Sequence, residues 1–101
     1  MAKRIIWTNT AKTSRQEILK YWREHNKSDG YSKKLSKLFR EKVALLRIQH
    51  YIGKPTDFKN VRVSLVQNFS LFYIVSTDEI IILGIWDNRR NPEDLHKNID
   101  F

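Results

Sequence analysis

The chain contains no cysteine, only three glycines, and no apolar run near the length that crosses a bilayer. Without cysteine there is neither a disulfide framework nor a thiolate metal site, which fits a reducing cytoplasm. The glycines lie far apart, so no glycine-rich phosphate loop is available. His25, His50 and His96 are scattered, and none has acidic company at ligand spacing, so no metal or other cofactor is expected. No serine nucleophile with its base can be picked out by spacing. Met1 to Asn9 is too short and polar for a secretory signal. The expectation is a soluble cytoplasmic protein with no membrane role, and its 101 residues are enough for a single domain spanning 1–101.

Acidic residues are also in deficit, 11 against 19 Lys and Arg, which gives a net charge of +8. The imbalance is lopsided: residues 1–60 hold 15 basic and 5 acidic side chains, a surplus of +10, and residues 61–101 hold 4 and 6, a balance of −2. A field of that size favours a polyanion, meaning nucleic acid, an acidic protein segment or a membrane surface, and says nothing about chemistry.

Periodicity organises the rest. Arg4 to Thr8 forms a short candidate strand. Ser14 with Glu17, or Thr13 with Gln16, makes a capping box for a first helix carrying Ile18, Tyr21, Trp22 and His25 at helical spacing. The helix ends near 26–30, where Asn, Ser, Asp and Gly cluster. Ser32 caps a second helix, with Leu35, Leu38, Phe39, Val43, Leu45 and Leu46 as its apolar set. It runs to about Ile52 and stops at Gly53 as the residue after the cap. A short polar turn joins the two helices, which favours an antiparallel hairpin.

From Val61 the period becomes two. Val61 to Val66 and Phe69 to Ser76 flank a turn at Gln67 and Asn68, and Ile80 to Trp86 is apolar without alternation, as in a central strand covered on both faces. Asn91, Pro92, Glu93 and Asp94 nucleate a short terminal helix. The pattern is α+β: an N-terminal strand, an antiparallel helical hairpin, a three-stranded antiparallel meander and a short C-terminal helix, with the helices on one face of the sheet.

The stretch 80–95, IIILGIWDNRRNPEDL, ends a strand in Arg89 and Arg90. Paired guanidiniums at a rigid strand end point at phosphate. Arg62 projects to the face opposite Val61 and Val63, and the meander is expected to bring it to the same end of the sheet as Arg89 or Arg90. Lys54 and Lys59 then complete a cationic cup, with His50 beside it and His96 after the terminal helix as proton carriers. The alternative for Arg62 is an ordinary cross-sheet ion pair with Asp87. Tyr73 and the three tryptophans read as core.

In this order, the opening IIWTNTA, EILKYW in the first helix, GKPTDFKNVRVSLVQNFSLFYIV at 53–75 and IIILGIWDNRRNP at 80–92 resemble the RelE/ParE superfamily of bacterial toxins from type II toxin-antitoxin pairs, over nearly the whole chain. The resemblance implies a cytoplasmic toxin neutralised by a cognate antitoxin that wraps it. RelE-like members are ribosome-dependent endoribonucleases that use the ribose 2′-hydroxyl as nucleophile, without metal, while Arg and Lys stabilise the pentavalent phosphate. ParE-like members poison DNA gyrase and have no accepted hydrolytic site.

Carried over by residue, Arg89 and Arg90 fall where the RelE branch has a basic residue after its last strand. Ser70, in Phe69-Ser70-Leu71, stands where that branch has its main catalytic arginine. His96 is the one replacement for a C-terminal tyrosine or histidine-tyrosine pair. The long helical hairpin resembles the ParE branch. The expectation is a toxin acting by ribosome-associated mRNA cleavage through Arg62, Arg89, Arg90 and His96, with Lys54, Lys59 and His50 at the substrate. Non-hydrolytic gyrase inhibition and a basic nucleic-acid-binding domain are the alternatives.

Overall fold

The computed structural model describes residues 2–25, 30–95 and 99. The elements are β1 (Arg4–Trp7), α1 (Asn9–His25), α2 (Gly30–Leu46), β2 (Lys54–Pro55), β3 (Val61–Val66), β4 (Phe69–Val75) and β5 (Glu79–Asp87), then a single 3-10 turn at Pro92–Asp94. They form one five-stranded sheet in the order β1-β5-β4-β3-β2, with the helical hairpin on one face. Among the described residues, no helix is long and apolar enough to cross a membrane.

The meander is as expected, and two strands are added to it. β1 pairs in parallel with β5, Ile5 opposite Ile80 and Trp7 opposite Ile82, and the two-residue β2 pairs with β3. β5 takes the interior position because it is apolar on both faces. Phe72 of β4 pairs with Gly84, but the next residue, Tyr73, pairs with Ile82, which leaves Leu83 as the extra residue of a bulge. The bulge resets the alternation. Ile80, Ile82 and Ile85 all face the helices, packing with Ala11, Leu35, Phe39, Val43, Leu46, Leu71 and Tyr73. Leu83 and Trp86 face the other way, with Val61 and Phe72, and are covered by Phe58, Leu95 and the buried Ile99.

Three helix boundaries differ from the sequence reading, two because a backbone partner elsewhere claims the group and one because the core runs out. The first helix begins at Asn9 with Thr8 as its cap, not at a box on Thr13 or Ser14. The Thr8 Oγ1 accepts from the Ala11 N–H at 3.1 Å, while the Thr8 N–H is fixed to the Ile82 carbonyl as the last rung of the β1–β5 ladder. Ser14 is therefore inside the helix, buried, and donates to the Thr10 carbonyl four residues back. Ser32 likewise lies inside α2, and its hydroxyl crosses to the Leu19 carbonyl at 2.9 Å, tying the hairpin together.

The second helix ends at Leu46, about six residues early. Beyond it the apolar side chains have no core to enter, as Ile48 is 71% exposed. His50 turns its Nδ1 onto the Leu46 carbonyl at 2.9 Å and closes the helix end. Gly53 is thus not a helix terminator. It is required because a Cβ there would sit 2.6 Å from the Tyr73 hydroxyl and 2.7 Å from the Val63 carbonyl oxygen. As expected, Asn91 caps the C-terminal turn, its Oδ1 accepting from the Glu93 N–H with Pro92 in the first turn.

Candidate functional site

The strand end after Trp86 is built by short-range bonds. The Asn88 N–H continues the ladder to the Asn68 carbonyl, and the Arg90 N–H closes a turn onto the Asp87 carbonyl at 3.0 Å. Inside that turn the Asp87 carboxylate takes the Arg89 N–H and Nε on Oδ1, both at 3.0 Å, and a guanidinium NH2 on Oδ2 at 2.6 Å. This is a bidentate fork within one turn. The Arg89 side chain holds the Asp87 carboxyl below its ordinary value, by hydrogen bond first and charge after, against the opposing effect of burial. The same hydrogen bond raises Arg89 above the usual guanidinium range.

Arg89 also lies over the Trp22 ring, 4.7 Å from its centre, and Arg90 over Trp86 at 4.6 Å. Between α1 and the end of β5 this leaves a groove of about 540 Å³. Ile18, Trp22 and Ile85 form its apolar wall, Glu17, Asp87, Arg89 and Arg90 supply charge, and Tyr21 stands at its rim, 46% exposed. The Trp22 Nε1 is buried and has no hydrogen-bond partner among the described residues.

The sequence reading missed α1 as the second wall. Trp22 and Ile18 read as core because their helical spacing is the same whether the stripe meets a sheet or borders a groove. The Asp87-x-Arg89 spacing was the one local signal for the fork.

Arg62 lies at the other end of the sheet. It pairs across β3–β4 with Tyr73, which pairs with Ile82, whereas the β5 end that leads to Arg89 pairs through Phe69 with Val66. The first and third strands of a meander run parallel, so the start of one lies beside the start of the other and not beside its end. The expected convergence of Arg62 with Arg89 and Arg90 is therefore corrected, and so is the alternative ion pair with Asp87. Arg62 instead donates to the Gly53 carbonyl at 2.7 Å and the Tyr51 carbonyl at 3.4 Å, with its guanidinium over the Tyr51 ring.

The fully buried Tyr73 hydroxyl donates to the His50 carbonyl and accepts from the Gly53 N–H, each at 2.9 Å. Burial raises its pKa above the ordinary phenol value, and the Gly53 hydrogen bond and the Arg62 charge oppose that rise. Tyr73 is core, as expected.

The cationic cup is assembled only in part. Lys59 borders a second groove together with Arg62, Tyr51 and Phe58. Lys54 pairs in register with Val63 and so shares the sheet face opposite Arg62. His50 is spent on the helix end. Ser70 is buried, and its hydroxyl is bonded to the Asn88 Oδ1 at 2.7 Å, on the strand beside the fork. His96 lies outside the described residues.

Comparison with known proteins bears on this geometry at three levels. No curated protein matches the chain significantly. Among solved structures, the chromosomal ParDE toxin-antitoxin system of P. aeruginosa shares the fold with a TM-score of 0.75 at 22% identity, over 85% of this chain and 96% of that one. The RelBE2 toxin-antitoxin complex of Mycobacterium tuberculosis matches with a TM-score of 0.56 at 12% identity, over 86% of this chain and 99% of that one. At such identities these two likenesses establish the fold. A family model for the ParE toxin of the type II toxin-antitoxin system parDE matches residues 5–92, which runs from the first strand to the turn after Arg90. The chain therefore belongs to the ParE toxin family, within the RelE/ParE superfamily of type II toxins.

Proposed function

We propose that this toxin arrests growth as a non-hydrolytic inhibitor of DNA gyrase, acting through the groove at Arg89 and Arg90, and that a cognate antitoxin silences it. The observation that carries the reading is the Asp87–Arg89 fork. A phosphate-cleaving centre needs guanidinium donors free to meet charge that develops in the transition state. Here Arg89 already holds a carboxylate on one edge and an indole on its face.

The neighbouring chemistry supports the same reading. Arg62 is at the far end of the sheet, and Ser70 stands where the resemblance puts a catalytic arginine in the ribonuclease branch. Neither His25 nor His50 lines the groove, each holding a backbone carbonyl of its own helix or helix end. What the groove offers is an apolar wall beside arginine and aromatic groups, the residue types that anchor protein interfaces. The antitoxin is supported by the two solved structures that share this fold, both of them toxin-antitoxin systems.

The test is induced expression followed by inspection of arrested cells. Gyrase-linked DNA breaks with intact transcripts are expected, together with loss of supercoiling by purified gyrase in the absence of ribosomes. Truncated transcripts with unbroken DNA would overturn the proposal in favour of ribosome-associated mRNA cleavage. Co-expression of a cognate antitoxin should restore growth.

A further inference from the structure

The exposed face of α2 carries charge that, among the described residues, meets only Ser36 and Glu41 of the same helix. Lys33, Lys37 and Arg40 recur at i, i+4 and i+7 and so lie along one side of the helix, with Lys34 on the flank and exposed Ala44 one turn further on. Lys33, Lys34, Lys37 and Arg40 are all exposed. The helix holds a single acidic residue, Glu41, which meets Lys37 at 3.8 Å with both side chains largely in solvent, so the stripe stays strongly positive. Among the described residues, Arg40 bonds only the Ser36 hydroxyl, at 2.9 Å. From Lys33 to Arg40 the row spans about 10 Å at the α-helical rise.

We propose that this stripe binds the phosphate backbone of duplex DNA without reading its sequence. The inference rests on the gyrase reading, since that target works on duplex DNA, and it places a second contact on the nucleic acid rather than on the enzyme.

Two features of the stripe choose duplex DNA over other polyanions. Between its cations it presents only Ser36, with Ala44 and the part-exposed Leu45 lying beyond Arg40, so a folded or folding protein segment finds no large apolar anchor within the row. Single-stranded nucleic acid is held by bases stacked on exposed aromatic rings, and none lies on this face. A duplex backbone asks only for a row of cations on a rigid support, and it carries one charge per roughly 1.7 Å of axis.

The test is the salt dependence of binding between the purified toxin and a 30-base-pair fluorescent duplex, with no gyrase present. Four phosphate contacts predict a slope of log affinity against log salt near about −3.6, equal to roughly a hundredfold loss between 50 and 200 mM salt. The triple variant Lys33→Ala, Lys37→Ala, Arg40→Ala should flatten the slope to about −0.9, leaving only a threefold to fourfold loss over the same range. Removing equal charge from α1 (Lys12→Ala, Lys20→Ala, Arg23→Ala) should leave the slope unchanged. Circular dichroism and Tm establish that each variant is folded, and a Lys33→Gln, Lys37→Gln, Arg40→Gln version replaces the alanine triple if that one is not.

An unchanged slope in the α2 variant overturns the proposal. So does tighter binding of single-stranded RNA than of the duplex, or equal binding of a poly-glutamate peptide. Because gyrase is absent, DNA binding can fail while gyrase inhibition persists, and the reverse.

Discussion

Arg62 and Arg89 sit at opposite ends of one sheet, each with its guanidinium over an aromatic ring, yet the two ends are built for different purposes. Arg62 is spent on backbone. It holds the Gly53 carbonyl above a fully buried tyrosine that bridges His50 and Gly53, and so locks the irregular segment after α2 onto the sheet. Arg89 is spent on a carboxylate two residues away, within a turn that borders an open groove. A bond to the carbonyl of a buried glycine fastens a segment of the chain, whereas a carboxylate pair within a turn shapes the border of a groove. The same residue type therefore serves the fold at one end and a surface at the other.

The sharpest way to break the comparison is at the Arg62 end, where the fold depends on close approach. Gly53→Ala should cost on the order of 3 kcal/mol, because the new methyl meets two oxygens that cannot both retreat. In a chain of this size that lowers Tm by roughly 12–24 °C in a thermal melt. Tyr73→Phe should follow at about 1–3 kcal/mol, since it strips both the His50 carbonyl and the Gly53 N–H of their shared partner. A Tm within 2 °C of the parent for either variant would show that the lock is not structural.

Arg62→Ala should lower stability by about 1 kcal/mol and reduce growth inhibition only as far as it reduces the folded fraction. Arg89→Ala should do the opposite. Its stability loss should stay below about 1 kcal/mol, the usual size for a surface ion pair, while growth inhibition is lost. Measuring toxicity and Tm together for the two variants separates the ends. Equal toxicity at equal expression in Arg89→Ala and the parent would remove the groove from the mechanism.

The smallest effect concerns pH. Asp87 has a folded-state pKa below its ordinary 3.8, so its contribution to stability is fully present above that value and lost as pH falls through the lower folded one. Asp87→Asn should therefore show its full deficit above about pH 4 and lose it progressively as pH falls through the lowered folded-state value. A deficit that is constant across that window would mean that the fork contributes through packing and not through charge.

The sequence by itself determined the elements that short-range rules govern. The meander follows from period-two alternation, the hairpin from helical spacing about a polar turn, and the Asn91–Pro92 cap from the local chemistry of a helix start. It also carried enough ordered motif to place the chain in its superfamily. Tertiary structure alone decided where separated residues meet.

The parallel pairing of β1 with β5, the bulge at Leu83, and the placement of Arg62 and Arg89 at opposite ends depend on strand order and register, which sequence spacing does not encode. Ser32 and Gly53 were misassigned for a related reason. A hydroxyl or a missing side chain looks the same in sequence whether it serves the adjacent helix or a group brought beside it by the fold, and only the folded chain supplies that second partner.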